Sequence, residues 1–477
     1  MFLRIKFNLN IRKIIYITLF SLILIDLTYS FVQHLNMPLD GDMAGGIVPS
    51  NDVKIVLNDP LGLESFTSFE KYPNPNRFFA HYTFYSYFRF VPIYLQSFVS
   101  PIESVYLACA IAKILIQIFI LIILSLYVKG KTKFKFSQFI LVAFLILPLF
   151  QNNSYRSNFN IIDPSITYTF FYSLPILLSL IFYFPIFQGK LKNLQPFKNK
   201  VLLLCLFSLA LFISLNGPLI PGIVLIISLL YLWFFFEYKI SQKNTIKVIQ
   251  NFKLIPISYK ILFSIISFFS IYYLFLSSKN SIFSGESITI LERYLRIPKG
   301  LFLFLTEKNC FPLFVILIII INVFLLKKYC HDFESKKNLT FFKFILVFSV
   351  IYILLLPLGG YINYRPNIIR YDTMLPIIVA LIYIYAKTSL SLILYFKNNS
   401  KKKYLMLLSV FIMIFTIADG PEFKKNDCEK FNLQKIANSK TNTVHFDTEC
   451  SVLSWKKSNT FDKNSISGKL LKLWRIE

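Results

Sequence analysis

Residues Ile14–Val32 read IIYITLFSLILIDLTYSFV, and Pro38–Ser50 follow as PLDGDMAGGIVPS. The first stretch is apolar and long enough to cross a membrane as a helix. The second holds Asp40 and Asp42 on either side of a glycine, and it then turns through two further glycines and a proline. We predict a membrane-spanning helix that delivers an acidic, glycine-rich loop to the membrane surface. Such a loop suits an active site, although its acids could equally belong to a solvated turn.

The composition of the whole chain supports a membrane location. Of its 477 residues, 55% are hydrophobic, 18% are aromatic and 16% are charged, whereas a soluble domain carries about 25% charged residues. Runs of about 18 or more apolar residues predict membrane helices. The apolar runs fall at about 14–32, 100–128, 137–150, 166–188, 201–215, 218–236, 258–277, 311–326, 343–357, 373–396 and 404–418. The sequence therefore predicts an all-α polytopic membrane protein with about eleven spans and excludes a soluble domain.

The net charge of +27 could indicate a nucleic-acid partner. The lysines, however, lie in short runs between the apolar stretches, which is the positive-inside pattern, so we expect no nucleic acid. Lysine-rich loops alternate with loops that hold most of the acids: Asp40, Asp42, Asp52, Asp59, Glu64, Glu70, Asp163, Glu286, Glu292, Glu307 and Asp372. This alternation predicts a cytoplasmic N-terminus, a transmembrane domain over 1–418 and a small extracytoplasmic domain over 419–477.

The first extracytoplasmic loop, 33–99, is the longest internal loop, and loops of that length are usually functional. Its second half is crowded with Phe and Tyr and carries Arg77, His81 and Arg89. These residues predict an interfacial helix that shapes a groove for a lipid substrate or serves only as an aromatic belt.

Positive charge in the later outer loops runs against the topology rule. Arg365, Arg370 and Tyr371 lie in one such loop, and Arg293, Arg296 and Lys299 lie in another. An anionic ligand such as a lipid phosphate would account for them, because arginine offers a planar fork for phosphate oxygens. Pairing with the outer acids is the alternative.

Two further features predict pairs of residues. Asp26 and Lys113 lie inside apolar spans, and we expect them to neutralise each other across neighbouring helices. Cys428 and Cys450 lie in the tail, where an oxidising compartment would allow a disulfide. The tail is short for an independent core, so we expect it to dock on the outer loops.

Together the chain resembles the GT-C superfamily of polytopic glycosyltransferases. The likeness rests on the early acids in LDGDMAG, on the second span SPIESVYLACAIAKILIQIF, on RPNIIRYDTMLPIIVAL, which is similar to an Arg-Tyr-x-x-x-Pro pattern at the start of late spans, and on the small tail. The chain has no WWDYG-like motif, and DGD stands where the protein mannosyltransferase and lipid A aminoarabinosyltransferase type has adjacent Asp-Glu. We therefore assign no subfamily.

The resemblance implies an enzyme that transfers a sugar, with inversion, from a polyprenyl-phosphate carrier to a glycan, lipid or protein acceptor. It implies Asp42 as the general base, with Asp40 positioning it or binding a divalent cation, and outer arginines on the phosphate. Which acid is the base stays open at this point.

Two other classes use a similar surface. A lipid-linked glycan flippase or other transporter would not need Asp40 or Asp42. A polysaccharide polymerase or ligase also has many spans, but its large loop usually comes late. We expect a multi-pass protein of the cell envelope in a bacterial inner membrane, with an ER membrane as the alternative.

Overall fold

The computed structural model describes residues 2–67, 71–130, 135–150, 159–191, 199–240, 255–283, 288–306, 310–330, 332–359 and 367–477. Nearly all regular structure within these ranges is helical. The helices are α1 Phe2–Leu35, α2 Met43–Ile47, α3 Asn51–Asn58, α4 Leu63–Thr67, α5 Phe78–Leu95, α6 Pro101–Lys129, α7 Phe136–Ile146, α8 Ile166–Tyr168, α9 Leu174–Leu191, α10 Lys200–Ser214, α11 Ile220–Ile240, α12 Ile257–Ser278, α13 Ile290–Leu295, α14 Ile297–Thr306, α15 Phe311–Tyr329, α16 Phe333–Leu355, α17 Leu375–Tyr395, α18 Asn398–Ala418, α19 Asp427–Asn438 and α20 Ile466–Leu473. A π-helical turn, Thr169–Ser173, joins α8 to α9, and two strands, β1 Thr443–Cys450 and β2 Ser458–Asp462, lie in the tail.

Seven helical segments of the described chain are long and apolar enough to cross a membrane. They are α1, α6, the α8–α9 segment, α12, α15, α16 and α17. The apolar segments Phe136–Leu149, Lys200–Ser214 and Ile220–Tyr231, which belong to α7, α10 and α11, are shorter, and α18 lies at the last predicted run. The helical, multi-pass character is therefore confirmed, while the count of eleven spans stays a prediction.

Helix α6 shows how local sequence sets these elements. The Ser100 side chain caps the helix by accepting a hydrogen bond from the Glu103 backbone N–H at 3.3 Å, and Pro101 occupies the first turn. Gly130, with a φ of 67°, ends it. The helix packs against α1, α5, α7, α9 and α17, so it lies at the centre of the bundle.

A second hydrophobic core lies at one end of the bundle. It combines α2, α5 and the start of α6 with the tail. Trp474 is completely buried there: its Nε1–H donates to the Phe88 carbonyl at 2.9 Å, and its own carbonyl accepts from Gln96 Nε2 at 2.6 Å. The tail thus packs on the first long loop.

The tail is a small α/β unit rather than an all-α one. Its two strands pair antiparallel between α19 and α20. Cys428 on α19 and Cys450 at the end of β1 form a disulfide, with their Cα atoms 6.2 Å apart. The buried Glu429 carboxylate accepts from the backbone N–H groups of Leu39 at 2.8 Å and Leu453 at 3.0 Å. The bond from Leu39 ties the tail to the first loop just before Asp40.

The expected pairing of Asp26 with Lys113 is wrong. Lys113 Nζ donates instead to the carbonyl of Pro164 and lies within electrostatic range of Asp40 and Asp163. Asp26 lies within electrostatic range of Asp419. Helix rotation, which the sequence does not reveal, decides which neighbour a charged side chain meets.

Candidate functional site

Asp40 is a structural anchor. Its buried carboxylate accepts four hydrogen bonds: from Asp42 N at 3.0 Å, Ser165 Oγ at 2.7 Å, Thr167 N at 2.9 Å and Thr167 Oγ1 at 2.8 Å. These bonds join the loop after α1 to the start of α8. Both oxygens are occupied by donors, so the surroundings of Asp40 do not fit a divalent cation. Within the described ranges, no group of three or more His, Cys, Asp and Glu side chains is placed to hold a metal ion.

Asp42 is exposed and faces the tail. The Trp455 Nε1–H donates to Asp42 Oδ1 at 3.0 Å. Gly41 makes this approach possible, because a Cβ at that position would lie 2.6 Å from the Trp455 backbone nitrogen. The three residues of the DGD motif therefore have three structural roles. Asp40 anchors the loop to the start of α8, Gly41 allows the close approach of Trp455, and Asp42 contacts the tail.

Asp163 lies in a narrow cleft beside Asp40. The cleft, which we call the polar cleft, is lined by Asn160, Ile161, Asp163, Tyr168, Tyr172, Ser173, Tyr371, Asp372 and Leu375. Its free volume is about 10 Å³, roughly the room that one water molecule needs. The Asn160 amide is buried, and neither of its polar atoms has a hydrogen-bond partner in the described part of the chain. An unsatisfied buried amide is a group that a ligand or water would complete.

The Asp163 carboxyl is electrostatically unusual. Burial raises its pKa to about 7, opposed by a hydrogen bond that the Ser165 backbone N–H donates at 2.7 Å and by the Lys113 charge. The negative charges of Asp372 and Asp40 raise it further. A carboxyl with a pKa near neutrality inside a cleft is suited to general acid–base chemistry.

Arginines approach the same cleft from two loops. Arg370 forms a two-point ion pair with Asp372, through Nε to Oδ1 at 3.1 Å and Nη2 to Oδ2 at 2.8 Å. Arg370 and Arg77 both lie within electrostatic range of the Tyr172 hydroxyl. Arg77 Nε is buried and has no hydrogen-bond partner among the described residues. Two guanidinium groups thus act electrostatically on one tyrosine of the polar cleft.

A large apolar cavity adjoins the polar cleft along two helical segments. It measures about 270 Å³ and is lined by α6, α9, α11, α12, α16 and α17. In the α8–α9 segment the lining passes from Ser173 of the π-helical turn in the cleft to Ile176 in the cavity, and on α17 it passes from Leu375 directly to Pro376. The two linings are thus separated along each segment by less than one helical turn of about 5.4 Å. The cavity walls are almost entirely hydrocarbon and aromatic.

The structure brings some of the predicted site residues together. Asp40, Arg77 and Arg370 lie within electrostatic range of residues that line the polar cleft. Asp42 is connected to the cleft through Trp455, and Tyr371, which lines the cleft, stacks on Tyr168 with ring centroids 6.4 Å apart. Arg365 lies outside the described residues. His81 is buried with its ring edge-on to Phe171, and burial together with the Arg77 charge lowers its pKa to about 3.

The α13–α14 cations have local roles. Arg293 donates to the carbonyls of Ile288 at 3.2 Å, Pro357 at 3.3 Å and Gly359 at 3.0 Å. Arg296 pairs with Glu292 at 2.6 Å. Lys299 is exposed on α14. These contacts explain the arginines without an anionic ligand, so their role in substrate binding stays a prediction.

The sequence alone does not single out five residues that the structure brings to the site: Asp163, Asp372, Tyr168, Tyr172 and Trp455. The two aspartates were visible only as acids of predicted outer loops. A polar stretch directly before an apolar run, as in NIIDPSIT, was the available signal for Asp163. No signal in the sequence placed Trp455 beside the first loop.

Comparisons with protein families, with curated proteins and with solved structures find no match to this chain.

Proposed function

We propose that the protein is a membrane glycosyltransferase that takes a sugar from a polyprenyl-phosphate carrier, with the polar cleft as its active site. The observation that carries this proposal is that the polar cleft adjoins the apolar cavity along the α8–α9 segment and α17. A lipid-linked sugar has the same two parts in the same order. Its isoprenoid chain would bury apolar surface in the cavity, while its phosphate and sugar would reach the charged residues above.

The phosphate would lie between Arg77 and Arg370. A sugar phosphodiester carries one negative charge, and the phosphate gains a second when the sugar leaves. Fixed guanidinium groups stabilise that developing charge. The Arg370–Asp372 pair holds one guanidinium in place, and the buried Arg77 Nε–H supplies a donor that a phosphate oxygen would satisfy.

We assign the general base to Asp163. The acceptor oxygen forms a bond to the anomeric carbon as the bond from that carbon to the phosphate oxygen breaks. The acceptor proton passes to the carboxylate, and the leaving polyprenyl phosphate keeps the bonding electron pair. A pKa of about 7 leaves Asp163 substantially ionised at neutral pH while keeping it basic enough to accept a proton.

The other two acids are less suited to this role. Asp40 already accepts four donors. Asp42 is exposed and accepts the Trp455 N–H. Asp42 stays the alternative base, as the resemblance implies. An extracytoplasmic active site, a cytoplasmic N-terminus and eleven spans are parts of the same proposal, supported by the alternation of lysines and acids.

The test is sugar transfer by the purified full-length chain in nanodiscs, offered a panel of polyprenyl-phosphate sugars and glycan acceptors. Asp163→Asn keeps the shape of the side chain and removes the proton acceptor, so the transfer rate should fall about 10²–10⁴-fold. Asp52→Asn, at an exposed acid of α3 in the first loop, should leave the rate unchanged. Full activity in Asp163→Asn with loss in Asp42→Asn would move the base to Asp42. Movement of lipid-linked sugar across the bilayer without transfer would support a flippase instead.

A further inference from the structure

A row of aromatic rings connects Asp42 to the polar cleft. The Trp455 ring lies edge-to-face with Tyr168, with centroids 6.3 Å apart and planes at 89°. Tyr168 stacks in turn with Tyr172 at 5.5 Å and with Tyr371 at 6.4 Å. Trp455 is 47% exposed, although a large aromatic side chain usually gains stability from burial. An exposed ring in a fixed position beside a candidate active site is available to a ligand.

The position of Trp455 is fixed by several contacts. Its Nε1–H is bonded to Asp42 at 3.0 Å, and its backbone packs closely on Gly41. Two residues earlier, the Leu453 N–H donates to Glu429, which also accepts from the Leu39 N–H. These contacts hold Trp455 against the first loop. The indole is therefore preorganised and needs no rearrangement to bind a ligand.

The ring faces and carboxylates together match one class of ligand. A pyranose has flat C–H faces that pack on aromatic rings and a rim of hydroxyl groups that donate to carboxylates. Trp455 and Tyr168 supply rings, and the Asp42 carboxylate beside them supplies an acceptor. A peptide acceptor would instead favour unpaired backbone groups or an apolar groove for side chains.

We propose that Trp455, Tyr168 and Asp42 form a saccharide-binding subsite at the entrance of the polar cleft. If the proposed function is correct, this subsite holds the acceptor, so that the acceptor is a glycan and the tail is an acceptor-binding element. The naming of the ligand as acceptor rests on the proposed function, whereas the binding of a saccharide does not.

The test is direct binding without any lipid donor. The full-length protein in nanodiscs is titrated with cellobiose, maltose and N,N′-diacetylchitobiose and followed by saturation-transfer NMR. At least one disaccharide should bind the wild type. Trp455→Ala should weaken that binding about tenfold, because a ring contact of roughly 1.4 kcal/mol is lost. Trp455→Phe should retain part of it. Phe431→Ala removes another exposed aromatic residue of the tail, 59% exposed on α19, and should leave binding unchanged.

Two results would overturn the subsite: no disaccharide binds the wild type, or Trp455→Ala and Trp455→Phe both bind as the wild type does. The outcome is separate from that of the proposed function. Transfer with an unaltered acceptor KM in both variants would remove the subsite and leave the transferase. Saccharide binding that depends on Trp455, in a protein that transfers no sugar, would keep the subsite and remove the transferase.

Discussion

The polar cleft and the apolar cavity share the α8–α9 segment and α17 but differ sharply in free volume. The cleft has about 10 Å³, whereas the cavity has about 270 Å³. The cleft is narrow because charged groups form ion pairs with one another, as Arg370 and Asp372 do. A buried charge without a partner is costly in free energy. The apolar side chains that line the cavity carry no charge that needs a partner, so they can enclose empty space. A lipid chain would therefore find a preformed site, while its head group must displace internal contacts.

Apart from the loss of the Asp163 base, the largest effect is expected from removing the Arg370 cation. Arg370→Ala should lower the transfer rate about 10²–10³-fold, because a fixed donor to the leaving phosphate is removed. Arg370→Lys should rescue only part of this loss, since a point charge replaces a planar fork. The measurement is kcat and KM for the lipid donor in nanodiscs. Asp372→Asn is the control for loss of the ion pair itself: equal defects in Asp372→Asn and Arg370→Ala would assign Arg370 a structural role only.

The dependence of the transfer rate on pH should distinguish the two regions, because carboxyl groups line the cleft but not the cavity. Asp163 must be ionised to accept a proton, and its folded-state pKa is about 7. Activity should therefore rise through pH 7 and fall about tenfold per unit below it. Glu429 is a second carboxyl whose pKa burial raises to about 7. Glu429→Gln should keep the profile, and an unchanged inflection in a partly active Asp163 variant would contradict the assignment.

Filling the cavity should affect the lipid and not the chemistry. Ser179 lines the cavity on α9, whereas Ile181, two residues along the same helix, is 40% exposed. Ser179→Phe should lower the transfer rate with a long polyprenyl donor about tenfold, because the larger side chain fills space that the isoprenoid tail would occupy. The rate with a short polyprenyl donor should fall less. Ile181→Phe should change neither. An equal fall in transfer rate for long and short donors would show that the isoprenoid tail binds outside this cavity.

Neither region should depend strongly on the tail disulfide. Cys428 and Cys450 close a loop within the tail, and their removal should cost about 2–4 kcal/mol of tail stability. Denaturant unfolding of the Cys428→Ser, Cys450→Ser double variant would measure that cost. Donor binding should stay intact. A loss of donor binding without any loss of tail stability would show that the tail contributes directly to the donor site.

The helical part of the fold could be predicted because composition alone determines it. Apolar runs such as Ile14–Val32 fall inside α1, since a segment in lipid must satisfy its backbone hydrogen bonds internally. The tail hairpin was missed, although the alternate burial of Val444 and Phe446 in β1 follows the strand period. A short polar segment gives that signal too few residues to stand out.

The site was only partly readable. Asp40 and Asp42 attracted attention through their glycine-rich context, and Arg370 through its charge in a loop predicted to be outside. The contacts of Asp40 with Ser165 and Thr167 span more than a hundred residues of chain and leave no local pattern. Because contacts between distant residues leave no local pattern, Asp163 and Trp455 could not be recognised, and the predicted Asp26–Lys113 pairing was wrong. Pairing between distant loops is decided by packing, which one sequence does not display.

Photo-crosslinking tests the central claim most directly. A polyprenyl phosphate with a diazirine in its isoprenoid chain is irradiated with the protein in nanodiscs, and the adducts are mapped by mass spectrometry. The account predicts adducts on cavity residues of α9 and α17, such as Ile176 and Val379, that unmodified polyprenyl phosphate competes away and Ser179→Phe reduces. Adducts confined to lipid-exposed positions such as Ile181, with no competition, would contradict it.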